Sequence, residues 1–308
     1  MVEASIIIPT FNRNESVNIC IKSILTCELD NIEIIVVNDY KEGEVILYEK
    51  NKSTLITLVN NPKQGVASAR NYGANLANSK NLIFIDDDMI VNKETILASI
   101  IFLNTTEKST YNANWVYEKE LLSQIIKTQF GRYLIQNNFT SLKGWNNSTI
   151  TWMDNSLLVA NGITSQFFGI KKDDFLLVGG YNERFPFAGF EDYELNIKMK
   201  ENNIVNYIDT RVLIYHNEKD RVHPKSWLQR QKRGAQTRKV AVDMGFSELK
   251  IKYNFIKKIL YSLLSMLKPL LMICLKIIPN KNSFDIIYFK LINVLLGINI
   301  FDGYHSIK

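Results

Sequence analysis

The run Asn81-Leu82-Ile83-Phe84-Ile85-Asp86-Asp87-Asp88-Met89-Ile90 constrains this chain more than any other stretch. A short, mostly apolar run without helical periodicity reads as a buried strand. The strand ends abruptly in three carboxylates. Packed like charges repel and resist desolvation, so this ending costs stability. A hard divalent cation would explain it, because such an ion takes oxygen ligands. Asp86 and Asp88, two apart at a strand end, can both reach one ion. On the triplet alone, a solvated acidic loop tip explains the pattern equally well.

The preceding residues supply a frame. Ala4–Ile8 is a β-branched run that Pro9 should stop, followed by a loop to Asn14. Asn14 is expected to N-cap a helix with Val17, Cys20, Ile21, Ile24 and Leu25 on one face. Ile32–Val37 and Leu55–Val59 read as strands, and Val66–Asn78 as a helix of small residues. Strands alternating with helices imply a parallel sheet with right-handed crossovers. Ligands of such sheets sit outside the carboxyl ends of the strands. Pro9–Asn12, Asn38-Asp39 and Asp86–Asp88 all fall at that edge. The sequence lacks a Gly-x-Gly-x-x-Gly after the first strand and a Walker loop, which argues against those nucleotide sites.

Four blocks then carry a specific resemblance. They are Ser5-Ile6-Ile7-Ile8-Pro9-Thr10-Phe11-Asn12-Arg13, Val36-Val37-Asn38-Asp39, Asn61-Pro62-Lys63-Gln64-Gly65 with Arg70-Asn71-Tyr72-Gly73, and Phe84–Asp88. In order and spacing they resemble the family-2 glycosyltransferases of the GT-A fold. Asn38 departs from the commoner Val-Asp-Asp-Gly-Ser pattern. The resemblance implies an α/β protein with a mostly parallel central sheet flanked by helices, and a UDP-sugar as donor. It implies that Pro9, Thr10, Asn12, Arg13, Asp39, Arg70, Asp86 and Asp87 bind the nucleotide sugar, with Asp39 on the uracil ring. Asp86 and Asp88 would hold Mn2+ or Mg2+ against the diphosphate. Without the resemblance, Asp39 reads as a strand-end turn residue and Arg70 as an ordinary helix-face arginine. Arg70 could pair with a diphosphate or with the acids themselves.

Residues 105–150 are poor in motifs. Tyr117–Gln136 suggests a helix and Gln136–Thr149 a loop. Further on, Thr164–Phe175 runs from strand into helix, and Gly179-Gly180 ends that helix. Phe187–Leu195 is similar to the acceptor-side segment of family-2 enzymes, including a galactosyltransferase-like variant, Gly189-Phe190-Glu191-Asp192. There the resemblance implies Asp192 as the base for the acceptor hydroxyl. Glu191 is the second candidate or an acceptor anchor. Plain first-turn capping by acids is the competing reading. Ile204–Ile208 and Val212–Tyr215 read as two strands. His216 follows where many GT-A enzymes place a third metal ligand, although a lone strand-end histidine is more often structural. Lys219 and Arg221 are alternative diphosphate contacts, and His223 should cap the next helix.

A chain of 308 residues suggests one large domain with an appendage. The expected division is a GT-A catalytic domain over 1–222, split at 104 into nucleotide-sugar and acceptor halves, and a helical extension over 223–308. Residues 1–220 carry 21 Lys+Arg against 27 Asp+Glu, and residues 221–308 carry 16 against 4. The basic extension therefore suits an anionic surface. Its apolar stretches, Phe255–Ile278 and Ile286–Ile300, are interrupted by lysines. Neither is expected to span a bilayer, and both suit lying at the inner face of the cell membrane. A packed helical subdomain or a homodimer face competes with that reading. No nucleic-acid module is recognisable. Three cysteines without metal spacing and no signal-like N-terminus suggest the cytoplasmic side. The expected function is inverting, metal-dependent transfer of a hexose or N-acetylhexosamine from a UDP-sugar to a glycan or lipid-linked glycan, in bacterial polysaccharide assembly. A non-catalytic nucleotide-sugar-binding subunit is the alternative.

Overall fold

The computed structural model describes residues 2–48, 55–145, 151–219 and 222–306. Nine strands form one sheet: β1 (Ala4–Thr10), β2 (Ile32–Asn38), β3 (Leu55–Asn60), β4 (Asn81–Ile85), β5 (Met89–Ile90), β6 (Ser109–Tyr117), β7 (Leu157–Ala160), β8 (Phe167–Lys171) and β9 (Val205–His216). The helices are α1 (Asn14–Leu25), α2 (Val66–Leu76), α3 (Lys93–Thr105), α4 (Lys119–Ile125), α5 (Gln129–Gln136), α6 (Leu142–Trp145), α7 (Lys172–Leu177), α8 (Glu191–Glu201), α9 (Pro224–Asp243), α10 (Phe255–Met266), α11 (Lys268–Ile277) and α12 (Asp285–Ser306). Two compact units divide the chain. The first comprises Met1–Glu118, Ser141–Glu183 and Glu191–Asn217; the second comprises Lys119–Thr140, Arg184–Phe190 and Glu218–Lys308.

The first unit holds the sheet, in the order β3-β2-β1-β4-β8-β6-β9-β5, with β7 also on β9. Strands β1 to β4 pair in parallel, as the alternation of elements predicts. Beyond β4 the sheet is mixed: β8 runs antiparallel to β4 and β6, and β9 is parallel to β6. Every residue of β1, β2 and β4 is buried, which explains why their sequences are mostly apolar. Helix α2 lies tight on this sheet. A Cβ on Gly73 would stand 2.5 Å from Ile7 Cγ2, so only glycine allows the approach.

Several expectations need correction. Strand β1 continues through Pro9 to Thr10. The Thr10 carbonyl accepts from Asp39 N on the β2 side, so Pro9 faces β4, where the ladder has already ended at Ile7 and Phe84. Its missing N–H therefore costs no ladder bond. Asn14 is the first residue of α1 rather than its cap. Its side chain accepts from Ile46 N (2.8 Å) and donates to the Tyr48 hydroxyl (2.9 Å). The expected helix over Tyr117–Gln136 is two helices, and Thr128 restarts the chain by accepting from Gly131 N. The two expected strands around residue 210 are one, β9, with a register irregularity opposite Ala113 and Asn114.

The second unit is helical around an aromatic core of Phe130, Tyr133, Trp227 and Tyr288 with Leu134, Leu228, Leu275, Ile292 and Leu295. Arg132 grips Asp285 with two parallel bonds of 2.6 and 2.7 Å. Helices α9 and α12 cross closely at Gly303, where a Cβ would stand 2.2 Å from the Lys232 carbonyl. Helices α10 and α11 meet at a 63° bend. The second apolar stretch lies within one long helical segment, Asn282–Ser306. That stretch is long and apolar enough to cross a membrane, although a third of its most apolar window is buried in the unit.

Candidate active site

The candidate site lies in the first unit, at the carboxyl ends of β1, β2 and β4. The order β2-β1-β4 makes the Asp triplet a neighbour of the loop after β1. Asp87 turns toward that loop. It accepts from Thr10 Oγ1 at 2.7 Å and is ion-paired with Arg13. The same Arg13 Nη1 reaches Asp88 Oδ2 at 2.8 Å. Asp86 pairs instead with Arg70, whose Nη2 stands 2.9 Å from Asp86 Oδ1 and whose Nη1 stands 3.1 Å from Glu191 Oε1. Arg70 is 2% exposed, and its guanidinium also lies over the Tyr181 ring at 5.1 Å. Arg70 thus meets the acids themselves. Two arginines offset the charge of four carboxylates that would otherwise resist burial. Burial raises the Asp86 pKa, with Arg70 opposing and Asp88 adding to the rise.

Strand register delivers His216. Met89 of β5 pairs with His216 of β9, and Asn217 N donates to the Asp88 carbonyl at 2.7 Å. His216 Nε2 consequently lies 3.3 Å from Asp88 Oδ1, with Trp115 and Tyr117 edge-on to the imidazole. Adjacent ligands of a six-coordinate ion bound at about 2.1 Å stand about 3 Å apart. The pair therefore fits a shared divalent cation, and an imidazole among carboxylates suits a transition ion such as Mn2+ better than Mg2+. Asp86 Oδ2 accepts no hydrogen bond from the described residues, leaving an oxygen for a ligand at the same edge.

Asp39 is tied to the loop before α2. Its carboxylate accepts from Gly65 N (2.9 and 3.1 Å) and from Asn61 Nδ2 (2.6 Å). Gly65 has φ +127°, a conformation that needs glycine. Asn38 braces the loop after β2, donating to the Gly43 carbonyl (2.9 Å) and Asn60 Oδ1 (3.0 Å) and accepting from Tyr40 N. An amide can both donate and accept there, which a carboxylate cannot. Pro9 is buried at the end of β1, and Asn12 is exposed with φ +52°. Between them Phe11, 48% exposed, meets the Tyr40 ring edge-on at 5.1 Å.

Helix α8 opens with Glu191 and Asp192, as its Gly-x-Glu-Asp start suggests. The two acids differ sharply. Glu191 is 1% exposed and bound to Arg70. Asp192 is half-buried and accepts from Ser165 Oγ, which also sits 3.4 Å from the Tyr181 hydroxyl. Burial, then the charge of Glu191, push the Asp192 carboxyl up to about 6, against the pull of Arg70. A carboxylate of that basicity suits proton abstraction near neutral pH. The sequence alone assigns no role to Ser165, Tyr181 or Asn61. Arg221 lies outside the described residues. Lys219 and His223 belong to the second unit, where His223 precedes α9 without a side-chain capping bond.

The Glycosyl transferase family 2 model matches residues 5–158. An uncharacterized glycosyltransferase of Haemophilus influenzae is 27% identical over 199 residues, covering 63% of this chain and 61% of that protein. The Bacillus subtilis uncharacterized glycosyltransferase EpsJ is 32% identical over 111 residues, 35% of this chain and 30% of its own. The Escherichia coli UDP-Glc:alpha-D-GlcNAc-diphosphoundecaprenol beta-1,3-glucosyltransferase WfaP is 28% identical over 120 residues, 38% of this chain and 48% of its own. The matches thus span less than two thirds of each relative. Among solved structures, the mannosyltransferase PcManGT from Pyrobaculum calidifontis in complex with GDP-Man and Mn2+ has a TM-score of 0.55 at 11% identity, covering 99% of this chain and 88% of its own. GalNAc-T7 with UDP, GalNAc and Mn2+ has a TM-score of 0.52 at 13% identity, covering 69% of this chain and 42% of its own. With half of the chain matched by the family model and the sheet shared with these enzymes, the chain belongs to glycosyl transferase family 2 and has the GT-A fold.

Proposed function

We propose that the protein transfers a hexose or N-acetylhexosamine from a UDP-sugar to a hydroxyl of a glycan or lipid-linked glycan, with inversion. The observation that carries this reading is Asp192, a carboxylate raised to about 6 beside Ser165, in the same unit as the Asp88–His216 pair. Asp192 takes the proton of the acceptor hydroxyl as that oxygen attacks the anomeric carbon. The bond from that carbon to the diphosphate oxygen breaks on the opposite face, and UDP departs with the electron pair. One displacement needs one base, and inversion follows. A divalent ion at Asp88 and His216, with Asp86 beside them, would supply Lewis-acid stabilisation of the leaving diphosphate. Arg70 holds Glu191 and so fixes the first turn of α8, which positions Asp192.

The WfaP name supports UDP as the nucleotide and a lipid diphosphate as the acceptor's anchor. The GDP-Man complex of PcManGT keeps guanine donors in the test. Helices α10 and α11 support a membrane contact. Phe255, Ile256, Met266 and Ile277 are each more than 70% exposed, and Lys257, Lys258, Lys268 and Lys276 share those helices. Apolar side chains among lysines suit the interface of an anionic membrane, at its cytoplasmic face.

The test is nucleotide release from a panel of UDP-sugars and GDP-mannose, with a GlcNAc-diphosphate-lipid acceptor, in Mn2+, Mg2+ or EDTA. A UDP-sugar should turn over with Mn2+ and stop turning over in EDTA. Tight UDP binding without turnover across the panel would support the non-catalytic subunit instead.

A further inference from the structure

The second unit carries an open cleft of about 460 Å³, within the size range of small-ligand sites. Ile125, Phe130, Leu275, Ile278 and Tyr288 give it apolar walls. Lys219, His223 and Lys276 stand exposed at its rim, and no carboxylate is among the described residues that line it. Gln129 lines it too, at 5% exposure. Its amide is buried beside Asp285, whose carboxyl Arg132, with help from Gln129, holds below the usual carboxylate range. Burial pushes the Tyr288 hydroxyl up to about 12, so it remains a donor at any working pH. The helix that supplies Leu275 and Lys276 also carries Ile273 and Ile277, which are 57% and 72% exposed.

We propose that this cleft binds the lipid end of the acceptor, a polyprenyl-type diphosphate, with the first carbons of the chain between the apolar walls and the phosphate on the cationic rim. The acceptor role rests on the function proposed above; the lipid site itself rests on the cleft. A free phosphate has no use for five apolar walls, and an uncharged apolar ligand has none for the cationic rim. An amphiphile with an anionic head uses both. The exposed face of α11 places the site on an element suited to the bilayer surface.

Calorimetry on the full chain tests this with four probes: farnesyl diphosphate, farnesol, inorganic diphosphate, and phosphatidylglycerol vesicles. Farnesyl diphosphate should bind at least tenfold tighter than farnesol or inorganic diphosphate. Lys276→Glu should weaken it at least fivefold while leaving UDP binding with Mn2+ unchanged. Ile278→Trp, which narrows the space between the apolar walls, should weaken it as well, and Lys276→Glu remains decisive if that variant fails to fold. Equal affinity for farnesyl and inorganic diphosphate would overturn the proposal. So would unchanged farnesyl diphosphate binding in Lys276→Glu, even with vesicle binding lost, because that pattern describes a surface contact alone. Sugar transfer to a soluble acceptor without farnesyl diphosphate binding would remove the lipid site and keep the transferase. Rim-dependent farnesyl diphosphate binding without any sugar transfer would do the reverse.

Discussion

Replacing Asp192 with asparagine should raise stability and abolish activity together. In the folded chain the carboxyl titrates at about 6 rather than its ordinary 3.8, chiefly through burial. That rise corresponds to ~3 kcal/mol at ~1.4 kcal/mol per tenfold change in proton affinity, and the partial exposure of the side chain reduces it to ~1–2 kcal/mol. The sign follows from proton linkage. A raised carboxyl binds its proton more tightly when folded, so its favourable contribution is complete below the unfolded value near 4. That contribution is lost as pH rises through about 6. Asparagine keeps an acceptor for Ser165 and never ionises. Asp192→Asn should therefore match wild type near pH 4 and exceed it by ~1–2 kcal/mol at pH 8, read by urea denaturation at both pH values. Loss of the base should cost 10²–10⁴-fold in transfer, and the wild-type kcat/KM limb near pH 6 should vanish. Near-wild-type transfer by a folded Asp192→Asn protein, or a variant less stable than wild type at pH 8, would refute the reasoning.

Other perturbations separate positioning from packing. Arg70→Met leaves Asp86 and Glu191 without their buried cation, and breaking such a pair costs about 3–5 kcal/mol; a drop in Tm of only a degree or two would show that the acids do not depend on it. His216→Ala should weaken Mn2+ binding by at least tenfold in titrations with UDP present, while metal-free UDP binding stays as in wild type; equal Mn2+ affinity in the two proteins would remove His216 from the ion. Gly73→Ala drives a methyl into Ile7 and should destabilise by about 1–3 kcal/mol in urea, whereas a neutral result would mean that α2 can lift from the sheet.

The parallel strands were legible because each is a mostly apolar, β-branched run ending in polar residues, and α8 because its acids follow a turn glycine. Strand β6 was hidden by its polar residues. Thr110 bonds Asn206, Tyr111 bonds Asp209 and Asn112 bonds the Tyr207 carbonyl, all across the strand pair. A buried strand satisfied from a partner almost a hundred residues away looks like a loop when read alone. The unity of β9 was hidden for a related reason, since Thr210 turns to Ser156 and Arg211 back onto Asp209 at the irregular register. The acid triplet admitted a cation site or a solvated tip equally, and its sharing between Arg13 and Arg70 depends on β1 lying beside β4. Nor does spacing reveal that Ser165 meets Asp192, because the turn before β8 and the first turn of α8 come together only in the folded chain.

The central claim is that the edge bearing Asp86 and Asp88 holds a divalent ion against a sugar nucleotide. Crystals grown with UDP and Mn2+, measured at the manganese edge, test it most directly. An anomalous peak within about 2.3 Å of both Asp88 Oδ1 and His216 Nε2, touching the diphosphate of UDP, is the expected result. A manganese peak away from these residues, or UDP bound with Arg13 and Arg70 still holding the triplet and no metal present, would contradict it.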